Sequence, residues 1–287
     1  MRIAGAPISW GVCEVPDWGV QLAPDRVLRE MRELGLGATE FGPQGWLPEE
    51  PLERSAMLRE AGLQAVGAFV PVLLHDPDHD PVPGVSRELD AFEAAGGDTL
   101  VLAAATGSDG YDARPTLTDE QWQTLFTNLD RLVDLAVSRG IRPTLHPHVG
   151  TLVETRDDVS RVLAGSKVPL CLDTGHLLIG GTDPVELARE HPERITHVHA
   201  KDVSKAIAER VRSGEISYTD AVRQGIYVPL GTGDVDFATI VDVLTQAGYD
   251  GWYVLEQDTI LTEQPAEDGG PIGDVATSMS YLRSLAN

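Results

Sequence analysis

Two short stretches gather side chains that bind metals or move protons: Cys171-Leu-Asp173-Thr-Gly-His176 and, further along, His197-Val-His199-Ala-Lys201-Asp202. Each is an apolar run that ends abruptly in carboxylate, imidazole or amine. A carboxylate at the end of one parallel strand and an imidazole at the end of the next, with a helix between them, builds a divalent-cation site at the mouth of a barrel. The connector Gly180-Gly181-Thr-Asp183-Pro184 reads as a loop entering a helix that runs to Arg189, which completes a βαβ unit. Trp252 to Glu256 is a further apolar run that closes on a carboxylate. Two carboxylates and an imidazole converging in an acidic pocket repel each other unless a cation sits among them, so Asp173, His199 and Glu256 are the candidate ligands. A mixed oxygen and nitrogen set without thiolate suits Mn²⁺, Co²⁺, Mg²⁺ or Zn²⁺ and does not choose among them; Mn²⁺ is the expected ion.

Strand-like runs alternate with helical patterns along the chain. The strands are expected at Ile3 to Trp10, Ala38 to Phe41, Leu63 to Val70, Thr99 to Ala103, Ile141 to His146, Val168 to Leu172, Ile195 to His199 and Trp252 to Glu256. Helices are expected at Pro24 to Leu34, Glu49 to Glu60, Val85 to Ala95, Thr118 to Ser138, Arg156 to Leu163, Pro184 to Arg189, Asp236 to Gln246 and Asp274 to Leu285. Eight strands, each followed by a helix, make an α/β chain of the (β/α)₈ TIM-barrel class, read as one domain over residues 1–287. The rival, an open doubly wound sheet, calls for a glycine-rich phosphate loop after its first strand, and Gly5-Ala-Pro-Ile-Ser-Trp-Gly11 has no such spacing.

In a barrel, side chains at the C-terminal strand ends face one shared pocket. These ends read Trp10, Glu40, a loop with His75, Ala104-Ala105, His146 and His148, Asp173 and His176, His199 with Lys201, and Glu256. Six of the eight histidines (75, 146, 148, 176, 197 and 199) lie at or beside them. His146 with His148, and His197 with His199, share strand parity, so both members of each pair face the axis.

The formal charge of −23 argues against a nucleic-acid backbone as partner and favours a neutral or metal-bound small molecule, although a general acidic surface bias accounts for it equally well. Cys13 and Cys171 read as free thiols of a reducing compartment. No signal peptide is visible, and no apolar run reaches the roughly 18 residues of a membrane span. The expectation is a cytoplasmic protein with no membrane and no nucleic-acid partner, with monomer and homo-oligomer both open.

The segments Leu172-Asp173-Thr-Gly-His176, His197-Val-His199-Ala-Lys201-Asp202, Pro229-Leu-Gly-Thr-Gly233-Asp-Val-Asp-Phe237 and Gly248-Tyr-Asp-Gly251-Trp-Tyr-Val-Leu-Glu256 resemble the successive motifs of the xylose-isomerase-like sugar isomerase and epimerase superfamily. Ala6-Pro-Ile-Ser-Trp10, Thr39-Glu-Phe-Gly-Pro43-Gln-Gly-Trp-Leu-Pro48, His146-Pro-His148-Val-Gly-Thr151 and the long excursion from Val203 to Tyr227 are most similar to inosose dehydratases. The resemblance implies a divalent metal on Asp173, His199 and Glu256, with a fourth ligand from the end of the fifth strand. That ligand is usually a glutamate in the epimerases; here the place is taken by His146, with His148 or Glu154 as alternatives. The departure removes the symmetrical pair of carboxylates that a two-base epimerase uses. It suits instead removal of a proton α to a ketone and loss of a β-hydroxyl as water. In this reading His148, His176 and Glu256 are the acid–base candidates and Lys201 holds a developing oxyanion, while Trp10, Glu40, His75 and Asp202 contact the substrate. The expected substrate is a cyclic keto-polyol of the 2-keto-myo-inositol kind. The alternatives are a keto-sugar isomerase or epimerase, a lyase acting on a 3-keto-glycoside, and a metal-free binding subunit.

Overall fold

The computed structural model describes residues 1–267 and 269–286. Its strands are β1 (Arg2–Gly5), β2 (Ala38–Thr39), β3 (Gln64–Ala65), β4 (Gly67–Val72), β5 (Thr99–Ala104), β6 (Arg142–Leu145), β7 (Leu170–Asp173), β8 (Ile195–Ala200), β9 (Asp202–Val203), β10 (Tyr227–Val228) and β11 (Trp252–Leu255). Nine of them form one sheet in the order β3-β2-β1-β11-β8-β7-β6-β5-β4, and every pairing in it is parallel. The two ends of that order, β3 and β4, are halves of a single strand interrupted at Val66. Val66 bridges the gap itself, donating to Thr39 O at 2.9 Å while its carbonyl accepts from Asp98 N and Thr99 N at 2.8 and 3.0 Å. The sheet therefore closes into the eight-stranded barrel expected from the sequence.

The helices are α1 (Pro24–Glu33), α2 (Pro51–Glu60), α3 (Val82–Ala95), α4 (Asp119–Ser138), α5 (Arg156–Gly165), α6 (Thr174–Ile179), α7 (Pro184–Glu190), α8 (Lys205–Arg212), α9 (Tyr218–Arg223), α10 (Phe237–Gln246) and α11 (Ile272–Ser284). Proline opens α1, α2 and α7, where its missing N–H costs nothing because that donor has no helical acceptor. Reciprocal capping boxes, Thr118 with Gln121 and Thr155 with Asp158, open α4 and α5. Helix α4 buries Trp122, Leu125, Leu129, Leu132 and Ala136, an apolar stripe at helical spacing that packs onto the barrel wall. Strand β5 is buried at every position, as expected of a parallel strand covered on both faces. No helix among the described residues is long and apolar enough to cross a membrane.

The structure departs from the expected elements where proline or local capping overrides the apolar run. The first strand stops at Gly5, not Trp10: Pro7 has no N–H for the ladder and opens a 3₁₀ turn, Pro7–Trp10, which ends on Gly11 at φ 78°. The second strand stops at Thr39, and the expected Val168 to Leu172 run shifts to Leu170–Asp173. Helix α6 is unexpected from the sequence; it begins immediately after β7 because the Asp173 carboxylate caps it, Oδ1 accepting from His176 N at 2.7 Å. The long excursion holds α8 and α9 and returns through β10, antiparallel to β9 with Tyr227 opposite Val203.

The turn after β10 is held by one side chain. Asp202 Oδ2 accepts from Gly231 N and Gly233 N at 2.9 and 3.0 Å, and its Oδ1 accepts from Val203 N and Val235 N at 3.0 Å each. A Cβ on Gly233 would lie 2.3 Å from that carboxylate, so only glycine lets the backbone come so close. Asp202→Ala should therefore cost about 3 kcal/mol or more of unfolding free energy, given about 1.5–3 kcal/mol for a hydrogen bond to a charged group. Asp202→Asn should fall between the two. Urea unfolding followed by far-UV circular dichroism checks this; an unchanged midpoint for the alanine variant would show that the turn holds itself.

Candidate active site

Parallel register brings the candidate residues together. Asp173 stands opposite His199 in the β7–β8 pairing, and His199 stands opposite Val254 in the β8–β11 pairing. Glu256 follows β11 and donates its N–H to Ala200 O at 3.2 Å. Asp173 Oδ2 lies 3.0 Å from His146 Nε2 and 3.6 Å from His199 Nδ1, and Glu256 Oε2 lies 3.2 Å from the same Nδ1. Ligand atoms of Asp173, His199 and Glu256 thus lie within 4.8 Å of one another, all buried.

Glu40 holds the other side of this group. Its Oε1 accepts from His197 Nε2 at 2.9 Å and from His199 Nε2 at 3.1 Å. A carboxylate only accepts, so His199 carries its Nε2 proton toward Glu40 and turns Nδ1 toward Asp173 and Glu256. His199 Nδ1 is buried and has no hydrogen-bond partner. An orphaned imidazole nitrogen flanked by two carboxylate oxygens fits a divalent ion.

Lys201 completes the floor. Its Nζ lies 3.3 Å from Asp173 Oδ2, 3.0 Å from Glu256 Oε2 and 2.9 Å from Asp258 Oδ1, and donates to His176 Nε2 at 2.9 Å. Burial works against a charged amine here, yet Asp173, Asp258 and Glu256 hold its pKa well above the ordinary value. Burial likewise opposes ionised Asp173, but Lys201, with hydrogen bonds from His146 and His199, keeps its pKa well below the usual carboxylate range. Burial pushes His146 down to about 4 and takes His148 and His176 well below the usual imidazole value, so these three rings are neutral near pH 7. His199 goes the other way: burial is outweighed by Cys171, Glu256 and Glu40, which raise it. A raised His199 marks an excess of negative charge at the ligand cluster, which a bound cation would offset.

These groups floor a cleft of about 730 Å³ lined by Glu40, His146, His148, His199, Lys201, Glu256 and Asp258, with an apolar wall that includes Pro7, Trp18, Phe69 and Tyr111. Asp173 and His176 sit directly behind this floor, both buried. Three residues expected to contact substrate do not line the cleft. Trp10 is buried in the core with Nε1 donating to Glu30 Oε2 at 2.7 Å, because the 3₁₀ turn carries it away from the strand end. His75 lies half-buried in the loop after β4, and Asp202 is consumed by its four backbone donors. Glu154, an alternative fourth ligand, accepts from Gly150 N at 2.8 Å and pairs with Arg114 at 3.3 Å.

Sequence reasoning missed several residues of the site. Asp258 shares the parity of Glu256 one step further along, a cue that was legible but unused. Tyr218 donates to Asp258 Oδ2 at 2.6 Å, its hydroxyl is 2.9 Å from that of Tyr227, and Tyr227 reaches His176 Nδ1 at 3.4 Å. Both tyrosines come from the excursion, whose sequence carries no periodic cue. Tyr111 stacks on His148 with ring centroids 4.4 Å apart, and its hydroxyl bonds to Glu14.

A family model described as the xylose isomerase-like TIM barrel matches residues 28–285. The rhizopine catabolism protein MocC of Rhizobium meliloti is 33% identical over 267 residues, covering 90% of this chain and 82% of that protein. The inosose dehydratase of Geobacillus thermodenitrificans is 30% identical over 294 residues, covering 99% of this chain and 96% of that enzyme. The solved structure of the IOLI protein with a bound zinc atom shares the fold, with a TM-score of 0.68 at 13% identity over 99% of this chain and 98% of that one. With its barrel closed at Val66 and its chemistry gathered at the strand ends, the chain belongs to the xylose isomerase-like TIM barrel family.

Proposed function

We propose that this barrel is a divalent-metal-dependent hydro-lyase that dehydrates a cyclic keto-polyol of the 2-keto-myo-inositol class through an enediolate. The observation that carries the reading is His148. Its Nδ1 lies 2.6 Å from Val149 O, and a carbonyl only accepts, so Nδ1 bears the proton of this neutral ring and Nε2 keeps its lone pair, on a side chain that lines the cleft. The whole-length likeness to an inosose dehydratase supports the reaction class. Among the described residues, Lys201 is the only lysine or arginine lining the cleft, and it is committed to carboxylates, which supports an uncharged substrate.

Asp173, His199 and Glu256 would hold the ion, with His146 as fourth donor, and the zinc-bearing structural neighbour supports a divalent metal here. When bound, the ion would supply Lewis-acid polarisation of the ketone. His148 Nε2 takes the proton from the carbon next to the carbonyl. The Lys201 ammonium faces the enediolate oxygen and stabilises the charge that develops there. The His148 imidazolium then returns its proton to the β-hydroxyl on the same face, the C–O bond breaks, and water leaves together with the enol of a dione. His176, stacked on His148 with centroids 3.7 Å apart, keeps the ring in place.

Incubation with 2-keto-myo-inositol and Mn²⁺ in deuterated buffer tests the reaction. The expected result is dione formation with little deuterium in recovered substrate. Deuterated substrate together with a stereoisomer, and no loss of water, would make the enzyme an epimerase. A separate test concerns the ligands. Asp173→Asn keeps an acceptor for the α6 cap but loses the anion, so metal affinity should fall on the order of 100-fold or more while circular dichroism stays unchanged. Undiminished metal content in dialysed Asp173→Asn protein would remove Asp173 from the ligand set.

A further inference from the structure

A second ligand constellation lies beside the first. His148, His176 and Asp258 each present a ligand atom within 4.8 Å of the other two, and all three are buried. His148 Nδ1 is tied to Val149 O at 2.6 Å, which frees Nε2. His176 Nδ1 faces the Tyr227 hydroxyl at 3.4 Å, and its Nε2 accepts from Lys201 Nζ at 2.9 Å. Asp258 takes the Tyr218 hydroxyl on Oδ2 at 2.6 Å, while its buried Oδ1 lies 2.9 Å from Lys201 Nζ. The same ammonium lies 3.3 Å from Asp173 Oδ2 and 3.0 Å from Glu256 Oε2. One side-chain cation therefore touches ligand atoms of both constellations.

We infer that Lys201 is a built-in cation occupying the second of two adjacent cation positions, so that the barrel mouth takes one divalent ion and masks a latent His148–His176–Asp258 metal site. The inference rests on the reading of Asp173, His199 and Glu256 as the ligands of the first ion. Two carboxylates of the first set and one of the second share the ammonium, and like charges at such separations in a buried site repel strongly. A second dication cannot enter while the ammonium stays. Two imidazoles and a carboxylate are a donor set that holds Zn²⁺ or Mn²⁺ once the position is vacated. In the wild type the same arrangement would set the ammonium beside a bound ion, which suits two vicinal oxygens of a substrate.

The test is metal stoichiometry, measured by plasma mass spectrometry after equilibration with Zn²⁺ and gel filtration, with Mn²⁺-loaded samples examined by electron paramagnetic resonance. Wild type should bind one ion per chain. Lys201→Ala should bind two and give a spin-coupled Mn²⁺ pair, and Lys201→Ala/His148→Ala should return to one. Lys201→Ala that still binds a single ion overturns the inference and leaves the first site standing. Wild type without metal sinks the first-site reading; Lys201→Ala then binding an ion that His148→Ala removes would keep the role of Lys201. Should Lys201→Ala fail to fold, His148→Ala in the wild-type background decides the matter. It should keep one ion at unchanged affinity, and loss of that ion would show that the two constellations are not separate sites.

Discussion

Glu40, Asp173, Glu256 and Asp258 are all buried in one barrel mouth, and a carboxylate removed from water without a counter-charge is among the costliest features a fold can carry. The ammonium of Lys201, within 3.3 Å of three of them, is what makes their company tolerable. Its position comes from the barrel: Lys201 immediately follows β8, next to the register pair of Asp173 and His199. Its backbone N–H is fixed as well, donating to Thr174 Oγ1 at 3.0 Å, so the start of α6 and the end of β8 are locked together around the charge. The fold and the site are thus stabilised by the same contacts.

Much of the protonation pattern of the site is imposed by neighbouring backbone and carboxylate groups. Backbone carbonyls and buried carboxylates decide which nitrogen of each histidine carries a proton: Val149 O for His148, Glu40 for His197 and His199. Asp173 divides its two oxygens between tasks, Oδ1 capping α6 and Oδ2 facing His146, His199 and Lys201. Any change at Asp173 therefore acts on a helix start and on its contacts with His146, His199 and Lys201 together. Such sharing is economical in a barrel, where the ends of strands and the starts of helices occupy the same few ångströms.

The wall over the cleft is assembled from connections distant in sequence. Glu14, after β1, bonds to Tyr111 from the connection after β5, and Asp112 of that connection accepts from Thr219 N at the start of α9. Gly150 lies under the same loop, where a Cβ would stand 2.4 Å from Tyr111 Cα. Three connections are in this way clasped over His148, and the aromatic face of Tyr111 covers the imidazole. Apolar cover of this kind excludes water and strengthens the electrostatic contacts beneath it.

The barrel and the convergence of Asp173, His199 and Glu256 at its mouth were legible in the sequence because both rest on local, periodic signals. Alternating apolar runs and helical stripes specify the strands, and the side-chain period of two specifies that His197 and His199 face the same way. Asp173, His199 and Glu256 each close an apolar run, so a barrel has no other place for them than its mouth. Pairing beyond the strands was not legible. Trp10 reads as a strand end until Pro7 breaks the ladder, and Asp202 reads as a pocket carboxylate until the turn at Gly231 and Gly233 folds back onto it. Glu40 lines the cleft, as a substrate contact would, but its tie to two histidines far away in sequence was not legible. Tyr218 and Tyr227 carry no periodicity at all, and only the antiparallel return of β10 along β9 brings them to Asp258 and His176. Periodicity is a property of neighbours along the chain, so it sets which face a residue presents. Which partner waits on that face depends on register and loop closure, and these exist only once the barrel has formed.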